Sequence, residues 1–288
     1  MVPSLRNWNL VLSLCLVAIS TCLPGAERVP VLLAAVSPGP QTIRSFDSYV
    51  SKTEEKNAKS LTSGSFLWID DLEKADRDAT YAKLKRGEVV LQRILPQGQD
   101  REISGGMIHD WEGIAFIPKA TLNEVLTLLQ DYDRQSTYFA PDVEKSKIEE
   151  HSGNYYRVFL RFRRKKIITV VLNSEHDVNY FSDSSTRAHS RSSATRIAEV
   201  ENAGEPSEKE KLPGHDNGFM WRMETWWRLE EKDGGVYVQN QVVSLTRDIP
   251  TGLGWIMEPF VTSIPKESLE FTLGSIRRAV LAKSKQSP

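Results

Sequence analysis

Apolar positions along this chain change their period several times, and each change marks an element. Leu72, Ala75, Ala79 and Ala82 recur at helical spacing after Asp70 and Asp71, either of which can cap, and the run ends at Arg86 before Gly87. GEVVLQRIL then reads as a strand, and IHDWEGIAFIP, preceded by Gly105 and Gly106 and followed by Pro118, as another. In TLNEVLTLLQDY, Thr121 and Glu124 make a capping box, while Val125, Leu128, Leu129 and Tyr132 fall at i, i+3, i+4 and i+7. That spacing predicts a helix with one buried face.

From Val143 the period drops to two. Strands are expected at 143–151, 154–164, 167–182, 185–201, 218–231 and 235–246, with breaks at SGN, RRKK, SDSS, the long polar ENAGEPSEKEKLPGHDNG, and KDGG. Strands that follow one another through short turns pair antiparallel, so a six-strand meander results. Beyond TRDIPTGLGWIMEP, Pro265 suits a first helical turn, and Leu269, Leu273, Ile276 and Val280 repeat every 4, 3 and 4 residues to about Lys283. A long amphipathic helix therefore closes the chain, and residues 284–288 form a short tail.

The N-terminal part reads differently. Residues 1–26 carry Arg6 as their one charge, an apolar run from Leu10 to Ile19, and small or turn residues after it, which together predict an export signal or an N-terminal anchor. The expected location is periplasmic or secreted, with tethering through the N-terminus open. The apolar run is short for a bilayer span. Residues 27–67 contain the patch VPVLLAAV and then a stretch rich in Ser, Thr, Lys and Gln, so they read as a poorly ordered linker or a loosely held helix. The folded domain is expected over 68–283.

Composition narrows the function classes. With 40% hydrophobic and 26% charged residues in 288, the chain is globular. Its 37 basic and 38 acidic residues are interspersed, for a net charge of −1, so it has no basic field for nucleic acid. Both cysteines, Cys15 and Cys22, lie in the leader, which removes thiol nucleophiles, thiolate metal sites and disulfides from the mature domain. A lipidated Cys22 is the remaining alternative. No G-x-S-x-G, Walker loop, dinucleotide glycine pattern or H-E-x-x-H is present.

Three stretches together resemble a known group. TLNEVLTLLQDYDRQSTYFAPDVEKSKI looks like the first helix, a tyrosine-bearing turn and the entry to the next strand in the START-like (SRPBCC) superfamily. WRMETWWRLEEKDGGVYVQNQ looks like its penultimate hairpin, and GWIMEPFVTSIPKESLEFTLGSIRRAV like its closing helix. The likeness covers about 87–283; the polar loop 202–217 is longer than the pattern needs. It implies an α+β helix-grip fold, a curved antiparallel sheet wrapped around the long C-terminal helix. It further implies a cavity between the two for a lipid or other hydrophobic small molecule, bound without a cofactor. Polyketide cyclases and dehydratases belong to the same superfamily, so an enzyme working by acid–base catalysis inside the cavity is the alternative.

The strand at 221–229 is the expected wall of that cavity. Alternation puts Trp221, Met223, Thr225, Trp227 and Leu229 on one face, opposite Leu269, Leu273 and Ile276 of the closing helix. Plain core is the competing explanation, and burial alone does not separate the two. Thr225 in the middle of the apolar face, and the pairing of Trp with Met, favour a ligand wall.

His176 and His189 flank the SDSS turn and are candidate polar groups inside the cavity; without a third ligand they make no metal site. In HDWE, His109 and Glu112 fall on opposite faces, which reads as a solvated edge. RFRRKKI, 161–167, gathers five basic residues at a turn, a pattern that suits peripheral contact with anionic lipid.

Overall fold

The computed structural model describes residues 36–62, 64–94, 102–166, 168–248 and 263–284. The expected signal or anchor at 1–26 lies outside them. Helices are α1 (Pro40–Thr62), α2 (Lys74–Lys85), α3 (Leu122–Gln130), the single turn α4 (Gln135–Tyr138) and α5 (Ile264–Ser284). The long strands are β3 (Gly106–Pro118), β4 (Val143–Ser152), β5 (Tyr155–Lys165), β6 (Thr169–Ser182), β7 (Arg187–Glu201), β9 (Arg222–Lys232) and β10 (Gly235–Thr246). Shorter ones are β1 (Val90–Arg93), β2 (Glu102–Ile103) and β8 (Lys209–Glu210).

Local chemistry sets the boundaries. The Thr121 side chain accepts from the Glu124 amide at 3.3 Å while the Glu124 carboxylate accepts from the Thr121 amide at 2.8 Å, so α3 starts where the capping box places it. The hairpin between β9 and β10 turns on Asp233 and Gly234, both at positive φ (57° and 74°), the backbone that a two-residue turn requires.

Neighbouring strands run β1-β3-β10-β9-β7-β6-β5-β4, each pair antiparallel, with β2 added to β3 and β8 to β7. The expected meander is present from β4 to β10, and β3 joins its far end by pairing along the whole of β10, from Gly235↔Pro118 to Thr246↔Met107. The inner face takes α5: Leu269, Leu273, Ile276 and Val280 pack with Ala115, Ile117, Leu229 and Val238. This is the α+β helix-grip arrangement.

Close approach of α5 to the sheet depends on Gly113. A Cβ there would lie 2.5 Å from Leu91 Cδ2 and 2.7 Å from Leu273 Cδ1. Gly113→Ala is expected to cost about 1–3 kcal/mol by overpacking, read as a lower denaturation midpoint at unchanged slope.

The outer face departs from the sequence expectation. The composition of 27–67 reads as a poorly ordered linker or a loosely held helix; 40–62 are a 23-residue helix, and it is docked through buried side chains. Its Phe46 and Val50 join Ile108, Trp221, Trp226, Val243 and Leu245 in a buried cluster against the back of the sheet. Phe66, Leu67, Ile69 and Leu84 form a second cluster with Ile114, Phe116 and Tyr237. The domain therefore begins before Trp68. The physical reason is that β3 and β10 also carry apolar side chains on their outer face, Ile108, Ile114, Phe116, Tyr237, Val243 and Leu245, so the back of the sheet has to be covered as well.

HDWE accordingly is no solvated edge. β3 lies between β1 and β10 with both faces buried, and His109, Asp110 and Glu112 are all buried. Asp110 accepts from Tyr49 Oη (2.7 Å) and Gln241 Nε2 (2.9 Å), and Glu112 from Gln92 Nε2 (2.8 Å) and Gln239 Nε2 (2.7 Å). Burial pushes Asp110 up to about 6 and Glu112 up to about 7, the hydrogen bonds only partly offsetting it. Arg228, buried in the same layer, donates to Phe66 O at 2.9 Å and Asn57 Oδ1 at 2.8 Å and so ties the N-terminal segment to β9.

Candidate functional site

Between the inner face of the sheet, α3 and the first turns of α5 lies a cavity of about 250 Å³. Its apolar walls come from Leu129 of α3, Val158, Leu160 and Phe162 of β5, Leu172 of β6 and Leu269 of α5. The strand registers set its floor. One row across the sheet runs Trp111–Val242–Thr225–Ser192–Val178, and the next Gly113–Asn240–Trp227–Ser190–Tyr180. Alternation points all of these inward.

The expected wall residues divide into three groups. Met223, Thr225 and Trp227 line the cavity, and so does Leu269. Leu229, Leu273 and Ile276 face the same way but meet one another in the packed core beside it, where the sheet and α5 leave no gap. Trp221 is a correction: it belongs to the outer cluster with Phe46 and Trp226, and its indole donates to Asp216 Oδ1 at 3.0 Å. β9 begins only at Arg222, so the period of two does not extend to Trp221.

The two histidines also separate. His176 lines the cavity, is buried, and sits with Nε2 2.9 Å from Ser174 Oγ. Burial pushes it down to about 4, so it is neutral at ordinary pH. His189 is the second correction. It pairs with Phe181 across the β6–β7 hairpin, stacks on that exposed ring at 4.7 Å, and bonds Asp183 through Nδ1 at 2.8 Å. Ser190 and Ser192 take the inward positions of β7, which leaves His189 on the outer face with Arg187 and Arg191.

Other polar groups reach the cavity that sequence reasoning did not select. Asp142 and Arg164 form a two-point pair (2.8 and 2.5 Å), and Arg164 also donates to Ser268 Oγ of α5 at 2.5 Å. Burial raises the Asp142 carboxyl and lowers the Arg164 guanidinium, each resisted by the other's charge. The Tyr132 and Tyr180 hydroxyls bond each other at 2.8 Å, and burial pushes both far above the usual phenol range. Tyr132 was legible as the i+7 position of the apolar stripe that α3 begins, although the helix itself ends at Gln130; the Asp142–Arg164 pair joins residues far apart in sequence and left no local signal.

The basic turn 161–166 loses most of its free charge to pairing. Arg161 binds Glu208 at 2.8 Å and Glu144 at 3.0 Å, Arg163 pairs with Glu144, Arg164 with Asp142, and Lys166 with Glu267 at 2.8 Å. Neutralised in this way, it gives little support to docking on anionic lipid. Among the described residues no helix is long and apolar enough to cross a membrane, and no cluster of His, Cys, Asp and Glu is placed to hold a metal ion.

No protein-family model and no curated protein matches the chain. The solved proteins that it matches include a STAR-related lipid transfer protein and an aromatase/cyclase. A Thermus thermophilus protein is 18% identical, covering 60% of this chain and 97% of its own, with a TM-score of 0.44. A STAR-related lipid transfer protein from Xanthomonas axonopodis is 17% identical over 66% and 98%, at 0.43. The Zhui aromatase/cyclase from Streptomyces sp. R1128 is 14% identical over 62% and 96%, at 0.41.

Proposed function

We propose that the protein is a non-catalytic carrier that encloses a small hydrophobic molecule between its sheet and α5. The observation that carries this reading is the cavity itself, about 250 Å³ of space walled mainly by Leu, Val and Phe side chains. Water needs about two to four polar partners to be held in place, so a mostly apolar space of this size suits an apolar guest better than water. Binding sites for small molecules have this character: apolar walls, a few placed polar groups.

The alternative, a cyclase or dehydratase, needs an acid or base poised near the working pH. Of the ionisable side chains that line the cavity, Asp142 and Arg164 are spent on each other. His176 is held neutral, with a basicity well below that of a useful general base. The carrier reading is therefore preferred. With the export signal read from residues 1–26, the same proposal places the carrier outside the cytoplasm.

Native mass spectrometry of protein purified from its own compartment tests this. The expected spectrum shows a mass excess that disappears on denaturation. Val242 faces the void from the middle of the floor, so Val242→Trp is expected to fill it, removing the excess mass while the protein stays folded. Guest-free wild type that also takes up no added hydrophobic compound would end the carrier reading. A released molecule chemically altered by incubation with fresh protein would replace it with the enzyme reading.

A further inference from the structure

The cavity floor differs from its walls in a way that specifies the guest. Along β7, β9 and β10 the polar side chains that line the cavity are Ser192, Thr225, Asn240, Ser244 and Thr246, a stripe of neutral hydrogen-bonding groups interleaved with Met223, Trp227 and Val242. The Trp111 indole N–H, which lines the cavity on the row of Thr225 and Ser192, is buried and meets no partner. A buried donor left unpaired is costly, so it points to an acceptor that a guest supplies.

The chemistry of those groups follows from what the stripe holds. Indole N–H donates only; hydroxyls and the Asn amide both donate and accept. No member carries charge. The cation lining the cavity, Arg164, already gives both its terminal nitrogens to Asp142 and Ser268, so a carboxylate guest would have to break that pair. His176 stays uncharged and does not replace it. A guest without oxygens would leave the Trp111 N–H unpaired.

Resting on the carrier reading, we infer that the guest is a compact, uncharged, oxygenated molecule: an apolar skeleton bearing carbonyl or hydroxyl oxygens that lie on the Trp111–Thr225–Ser192–Asn240 stripe. The apolar remainder packs against the Leu160 and Leu269 side, and the oxygens accept from the indole and bond the hydroxyls.

Three probes of one skeleton test it: naphthalene, 2-naphthol and 2-naphthoate, titrated into the full-length protein by calorimetry. The expected order has 2-naphthol about tenfold tighter than naphthalene, the worth of one or two well-made neutral hydrogen bonds, with 2-naphthoate weakest. Thr225→Val keeps the shape of the floor and removes one hydroxyl. It is expected to cut the preference for 2-naphthol over naphthalene several-fold; Ser192→Ala is the second variant should the first be unstable. Equal affinity for naphthalene and 2-naphthol, or tightest binding of 2-naphthoate, overturns the inference and leaves the carrier standing. Failure of all three to bind overturns both.

Discussion

Replacing Phe46 by alanine is expected to destabilise the protein by about 3–5 kcal/mol, the range for removing a buried aromatic side chain. The residue is 1% exposed and packs, with Val50, on Ile108, Trp221, Trp226, Val243 and Leu245. The loss is to be read from urea midpoints at constant slope, and it should exceed the effect of Ser45→Ala, a less buried position on the same helix. A change below about 0.5 kcal/mol, the usual size for a surface site, would mean that α1 is not docked on the sheet in solution. Such a loss is a large part of the roughly 5–15 kcal/mol that a domain commonly has, so α1 is expected to be needed for the fold.

Stability is also expected to fall as pH rises from about 4 to 8, through the two carboxyls beneath α1. Burial lifts Asp110 to about 6 and Glu112 to about 7 in the folded protein, against 3.8 and 4.5 for the free groups. Their protonated forms are favoured by folding; that stabilisation is complete below about 4 and is lost as pH rises through 6 and 7. Each shift corresponds to something on the order of 3 kcal/mol. His176 acts in the opposite direction, because its depressed value makes the folded state lose stability as pH falls from 6.5 to about 4. Comparing wild type with the double variant Asp110→Asn, Glu112→Gln removes that contribution, since both proteins contain His176. The variant should gain on wild type by several kcal/mol between about pH 5 and 8. Parallel curves for the two proteins would show that neither carboxyl is held in its neutral form.

Much of the fold was legible because it is written in local periods. The six hairpin strands, α3 with its capping box and the 4-3-4 stripe of α5 each need only their own residues to be recognised. What escaped depends on partners far away in sequence. α1 carries Ile43, Phe46 and Val50 at helical spacing, but its remaining contacts are polar: Tyr49 to Asp110, Asn57 to Gln241, Thr42 to the Ser104 carbonyl. A helix docked through hydroxyls and an amide presents a thin apolar stripe, and so thin a stripe reads as linker. Asp110 and Glu112 look solvated in the sequence for the same reason, since the amides of Gln92, Gln239 and Gln241 that satisfy them come from β1 and β10.

The site was half legible. Met223, Thr225 and Trp227 follow from alternation within β9, whereas Trp221 precedes the strand and obeys no period. Of the two histidines only His176 faces the cavity, because parity along β7 is set by Ser190 and Ser192, not by the turn that both histidines flank.

One consequence follows from the double cladding of β3, β9 and β10. Layers pressed on both sides are braced from within and from without. The opposite flank is clad on one side only, and there β4 turns most of its side chains to water. The sheet is thus a three-layer structure at one end and a thinner one at the other.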